Sequence, residues 1–236
     1  MNNFTSTIRY GELGETLVDC LITNEQGKAV KKTLTLDKYI NMLSSHTIIK
    51  QTEQPIVRIG KTPQALYDGG LSSDGRLAAC MIYPANKWYF STQDNSGAMK
   101  NYYLNFPALV FFFKTAMNKR VTTAQCFAIK DEPEKINGSS KLYLYPYGNV
   151  SHTGGICYGS GSSLIGEIND FSDFEKCVEI FFSATTHAHY YQAGVNTKLA
   201  KTHFELVEYI NELDSFPNDI LQPADLSLSA ILDNIK

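Results

Sequence analysis

Residues 149–157 read NVSHTGGIC, and this stretch separates a strand-rich part of the chain from a helix-rich part. Asn149 stands eight residues before Cys157, and a double glycine, Gly154 and Gly155, lies just ahead of the thiol. A polar, turn-rich setting can present a cysteine to solvent, and an accessible thiol is a nucleophile even when only a small fraction is ionised. Asn149 has two readings: a turn residue that tolerates a left-handed backbone, or an amide that steadies an oxyanion. His152, inside the same stretch, is either a proton carrier for the cysteine or a solvated loop histidine. Cys157, Asn149 and His152 are the candidate catalytic residues.

Upstream of the loop the pattern is mostly that of strands. Residues 13–23 and 29–36, rich in Val, Leu, Ile and Thr, flank NEQG and read as a hairpin. A short helix is expected over 37–43 and a brief strand over 56–59, between Pro55 and Gly60. The segment PQALYDGGLSSDGR, residues 63–76, reads as a short helix passing into a glycine-rich turn. It marks a seam between an N-terminal hairpin and helix extension, 1–60, and a main domain, 61–236. Strands are then expected over 77–83, 87–91, 108–114, 121–130 and 141–145, forming an antiparallel meander, with Phe111 to Phe113 in the core.

Downstream the period changes. Phe171, Phe174, Cys177, Val178, Phe181 and Phe182 recur at helical spacing, with Ser172 and Glu175 in a capping-box pattern at the start. Thr202 and Glu205 repeat that pattern before Phe204, Val207, Ile210 and Leu213, and Leu228, Ile231, Leu232 and Ile235 mark a third helix. The fold class is therefore α+β: an antiparallel sheet, a cysteine loop, then C-terminal helices.

Composition narrows the function. With 236 residues, 43% hydrophobic and 19% charged, the chain can bury the core of one large domain, or of one domain with a small addition. A net charge of -3 and no basic run argue against nucleic acid as a direct partner. The first residues lack a signal-peptide pattern, and the longest apolar run, ALVFFF at 108–113, is too short for a bilayer, so a cytoplasmic protein is expected. Five cysteines, at 20, 80, 126, 157 and 177, contain no CxxC pair, which suggests neither a disulfide framework nor a zinc site. Cys20, Cys80, Cys126 and Cys177 fall in apolar runs and are expected to pack as small hydrophobes. His187 and His189 follow a helix end, where they suit the dipole, and GSGSS at 159–163 lacks the lysine of a phosphate loop. No metal or organic cofactor is expected.

Five segments in order, FPALVF (106–111), CFAIK (126–130), YPYGNV (145–150), GGICYG (154–159) and FFSATTH (181–187), carry a family resemblance. The sequence resembles the ubiquitin-conjugating superfamily, and within it the bacterial family D branch known as protein B of the PRTRC gene system. That resemblance implies an antiparallel sheet followed by a cysteine segment and helices. It also implies a thioester formed between Cys157 and the C-terminus of a small ubiquitin-like protein. Its implied partners are that modifier, a ThiF-like adenylating enzyme and a JAB-type metallopeptidase. Where eukaryotic relatives carry His-Pro before the asparagine, Tyr147 and Gly148 stand here. Two other readings stay open: a non-catalytic module that binds a ubiquitin-like partner, and a cysteine hydrolase using Cys157 with His187 or His152 as base.

Overall fold

The computed structural model describes residues 3–10, 16–23, 29–35, 38 and 64–235, and the chain divides into two compact units, Met1–Glu53 and Gln54–Lys236. In the first unit β1 (Asn3–Tyr10), β2 (Thr16–Thr23) and β3 (Ala29–Thr35) form an antiparallel sheet in chain order. The β2–β3 hairpin is the one expected from sequence, with Thr23 opposite Ala29. β1 was not anticipated, because NFTSTIRY carries few of the apolar residues that mark a strand. Val18 and Cys20 are buried on one face, whereas Asp19, between them, accepts from Thr33 Oγ1 at 2.5 Å. Of the helix expected over 37–43 only Lys38 is among the described residues, and the strand expected over 56–59 lies outside them.

The second unit is built on β4 (Leu66–Leu71), β5 (Leu77–Tyr83), β8 (Ala108–Thr115), β9 (Val121–Ile129), β10 (Lys141–Tyr143) and β12 (Pro223–Ser227). They form an antiparallel sheet in the order β12–β10–β9–β8–β5–β4. β8 reads as an unbroken apolar run because both of its faces are covered. Leu109, Phe111 and Phe113 join one core with α1 (Asp173–Ser183) and α2 (His203–Asn211). Val110 and Phe112 point the other way and pack with Leu228 and Ile231 of α3 (Leu228–Leu232). The same alternation places Cys126 on the first face of β9 and Phe127 on the second.

A simple meander is not what forms. β5 pairs with β8, while β6 (Asn86–Gln93) and β7 (Met99–Phe106) leave the sheet as a hairpin. Together with β11 (Thr185–Thr186), which runs parallel to β6, they make a second, three-stranded sheet. Pro84, which has no N–H for a ladder, follows β5 directly. The hairpin then turns Trp88 onto Phe182, stacked at 4.5 Å, and Phe90 against Tyr147 at 5.1 Å. Aromatic packing across the sheet thus outweighs pairing between sequence neighbours.

Residues 66–71, which fall where a short helix was expected to pass into a glycine-rich turn, instead pair with β5, with Leu71 opposite Leu77. Gly69 and Gly70 are poor helix formers, and each lies where an added Cβ would crowd a neighbour, Phe171 at 2.7 Å and Ile235 at 2.9 Å. The three C-terminal helices fall where the periodicity puts them. α1 buries Phe174, Cys177, Val178 and Phe181 along one stripe. Its Ser172 does not act as a capping side chain, because Asp170 accepts both its N–H at 2.8 Å and its hydroxyl at 2.6 Å. A carboxylate two residues back is the stronger acceptor.

α2 does carry the capping box: Thr202 Oγ1 accepts from Glu205 N–H at 3.3 Å and Glu205 Oε2 accepts from Thr202 N–H at 2.8 Å. Thr202→Ala should cost about 1 kcal/mol, read as a lower urea midpoint with an unchanged slope. Among the described residues no helix is long and apolar enough to cross a membrane.

Candidate functional site

After β10 the chain passes through Tyr145 and Tyr147, whose rings are buried and whose phenols burial pushes well above their usual range. Tyr147 donates to the Asn105 carbonyl of β7 at 2.8 Å, which anchors the segment leading into the loop. Gly148 then lies so close to the chain after α1 that a Cβ would stand 1.7 Å from the His187 carbonyl oxygen.

Asn149 is the clasp. It adopts a left-handed backbone, φ 65°, and is 8% exposed. Its N–H donates to the His189 carbonyl at 2.9 Å, its Nδ2 donates to the Thr185 carbonyl at 2.9 Å, and its Oδ1 accepts from His187 N–H at 3.1 Å. One side chain therefore holds the strap of residues 185–189 against the cysteine loop. Asn149→Gly keeps the left-handed backbone accessible but removes the amide. It should lower stability by about 1–3 kcal/mol, measured by denaturant unfolding.

The Asn149 carbonyl accepts from Cys157 N–H at 2.8 Å, Ser151 N–H donates to the Gly155 carbonyl at 2.9 Å, and Val150 pairs with Ile156. The two arms are thus a narrow hairpin whose turn closes where Gly154 N–H reaches the Ser151 carbonyl at 2.8 Å. Gly154 has φ 82°, and a Cβ there would lie 2.3 Å from the Phe127 ring, so both conformation and space call for glycine. The returning arm runs beside β9, with Cys126 N–H donating to Gly154 and Ile156 N–H donating to Ala124. It fills the edge that the three-residue β10 leaves free.

Cys157 is half-buried and lines a cavity of about 600 Å³. Asn149 and Tyr158 share that wall, the end of α1 supplies Ile180 and Ser183, and the strap supplies His187 and His189. Tyr158 separates this space from a second cavity of about 280 Å³. Its hydroxyl is buried without a hydrogen-bond partner, and burial raises its pKa above the ordinary phenol range. The residues 159–164 form a turn of 3-10 helix in which Ser162 and Ser163 donate to the Gly159 and Ser160 carbonyls at 2.9 Å. These hydroxyls are engaged by their own backbone.

The other four cysteines are buried. Burial pushes the Cys80 and Cys177 thiols up to about 12 and the Cys126 thiol well above its usual value. Of the residues singled out from sequence, Cys157, Asn149, His187 and His189 meet at the cavity. His152 is exposed at the loop's turn and is not on the cavity wall. Sequence pointed to His187 as a possible base for Cys157, but not to the end of α1 or to the rest of residues 185–189 as walls of the same site. The only local hint was the FFSATTH segment, whose geometry depends on a side chain some forty residues earlier. Among the described residues no group of three or more His, Cys, Asp or Glu is placed to hold a metal ion.

His187 also borders a third cavity, of about 230 Å³, with Asp94, Thr202 and His203. His203 is 5% exposed, its ring lies 5.3 Å from Tyr191, and its Nε2 has no hydrogen-bond partner. Burial, with a smaller contribution from His187, lowers its pKa from 6.5 to about 4. The unfolded chain therefore binds the extra proton first, so stability is full above about pH 6.5 and falls as the pH drops toward 4. The loss is on the order of 3 kcal/mol, and His203→Phe should flatten that limb in urea melts taken from pH 7 to pH 4.

Antiparallel sheets with a few helices are consistent with an E2-like fold. The family model for prokaryotic E2 family D matches residues 60–224. The chain therefore belongs to prokaryotic E2 family D. No curated protein and no solved structure showed a match to it.

Proposed function

We propose that this protein is a ubiquitin-conjugating-like carrier that accepts a small ubiquitin-like modifier as a thioester on Cys157. The modifier comes from a ThiF-like adenylating enzyme, and the chain acts as protein B of a PRTRC system, in the cytoplasm, alongside a JAB-type metallopeptidase. The observation that carries this reading is the placement of Cys157. Among the described residues, which include all five cysteines, it is the one that is not buried, and it lines the largest of the three cavities described. Family membership supports a role of this class.

In the carrier step the Cys157 sulfur attacks the acyl carbon of the modifier's C-terminal adenylate on the activator, a carbon–sulfur bond forms, AMP leaves, and the thiol proton passes to solvent. Asn149 acts as a positioning residue: its carbonyl receives the Cys157 N–H and its amide fixes the facing strap. The experiment is incubation of the full chain with the activator, ATP and the modifier. A mass-shifted adduct that thiol reductant removes is the expected result. With active partners and no adduct, the reading fails in favour of a binding module. Cys157-dependent cleavage of a modifier fusion would replace it with a hydrolase.

A further inference from the structure

The strap of residues 185–189 does more than close the cavity. It brings two histidines, His187 and His189, to the wall that also holds Cys157. The two are not equivalent. The His189 ring packs on Tyr190 at 3.9 Å between centroids. Both main chains are tied to Asn149, His189 by its carbonyl at 2.9 Å and His187 by its N–H at 3.1 Å, but only His187 also meets Gly148, whose Cβ would stand 1.7 Å from its carbonyl oxygen. Cys157 N–H and His187 N–H are thus both hydrogen-bonded to the same asparagine, which fixes the distance between their backbones. A proton acceptor is useful only when so positioned.

We propose that His187 is the proton acceptor for the nucleophile that attacks an acyl group carried on Cys157, an inference that rests on the thioester reading of that thiol. In the step, the nucleophile's atom bonds to the acyl carbon, its proton passes to the His187 imidazole, and the carbon–sulfur bond breaks. The sulfur leaves as thiolate and then takes the proton back from the imidazolium, so both groups return to their starting state. The titratable groups around His187 are Cys157 and Tyr158 from the loop, His189 from the strap, His203 from α2, and Asp94 at the far side of the third cavity. Asp94 is held by Ser96 N–H at 2.8 Å and Ala98 N–H at 2.9 Å within its own turn. His203, with its pKa lowered to about 4, is neutral at neutral pH and adds no competing charge there.

The test acetylates Cys157 in the full chain with p-nitrophenyl acetate, with Cys157→Ala as the blank, and follows discharge of the acetyl group to glycinamide by mass spectrometry from pH 5 to pH 9. For His187→Gln the discharge rate should fall about 100-fold at neutral pH, with loss of the imidazole-dependent rise between pH 5 and 8. His187→Ala should be rescued in part by added imidazole, which a misfolded variant would not be. An unchanged pH profile in His187→Gln overturns the proposal. So does a profile flattened by His189→Gln and not by His187→Gln. Failure of Cys157 to take the modifier from its activator, with His187-dependent acetyl discharge intact, sinks the carrier reading and leaves the base assignment standing.

Discussion

Cys157→Ser should accept the modifier as an adduct that survives thiol reductant, where the wild-type adduct is removed. The change replaces sulfur by oxygen in a side chain whose backbone stays hydrogen-bonded to Asn149. An alkoxide forms far less readily than a thiolate, so loading should be much slower, but the product is an oxyester that free thiols do not exchange. Cys157→Ala should give no adduct at all. Cys126 and Cys177 do not substitute for it, since both are buried and their thiols resist ionisation. Gel analysis with and without reductant, on all three proteins, reads the result. A reductant-labile adduct on the serine or alanine protein would show that another thiol is the acceptor.

Gly148→Ala should be the most damaging single-methyl change in the second unit. The added carbon would stand 1.7 Å from the His187 carbonyl oxygen, far inside contact distance, and 2.8 Å from its carbonyl carbon. Neither is the movable end of a side chain. Either the strap or the loop must shift, which breaks the three hydrogen bonds that Asn149 makes to Thr185, His187 and His189. A cost of about 4 kcal/mol is expected, with a drop in both the urea midpoint and the alkylation selectivity for Cys157. Stability within 1 kcal/mol of wild type would mean that the contact is not as close in solution.

Helices were the most legible part of the sequence because a buried stripe writes itself at intervals of three and four, as Phe174, Cys177, Val178 and Phe181 do. β8 was legible for the opposite reason: two covered faces leave no polar positions. Strand partners were not. β5 reaches past β6 and β7 to β8, and nothing near residue 83 records a partner that begins at residue 108. β7, with Asn, Lys and Tyr on its exposed positions, looks like loop until its inner residues Leu104 and Phe106 are seen packed. The turns of the cysteine loop were readable from Asn149 and Gly154, both of which take the left-handed backbone. The strap was not, since it is brought to the thiol by side-chain to backbone hydrogen bonds that leave no periodic trace.

β12, from the last part of the chain, pairs with β10, and α3 covers the second face of β8 through Leu228 and Ile231. During synthesis Cys157 emerges before the segments that complete the sheet. Until residues 223–232 leave the ribosome, β10 has one open edge and Val110 and Phe112 lack their cover. A product cut short after the strap would bear Cys157 on a sheet with one face and one edge uncovered.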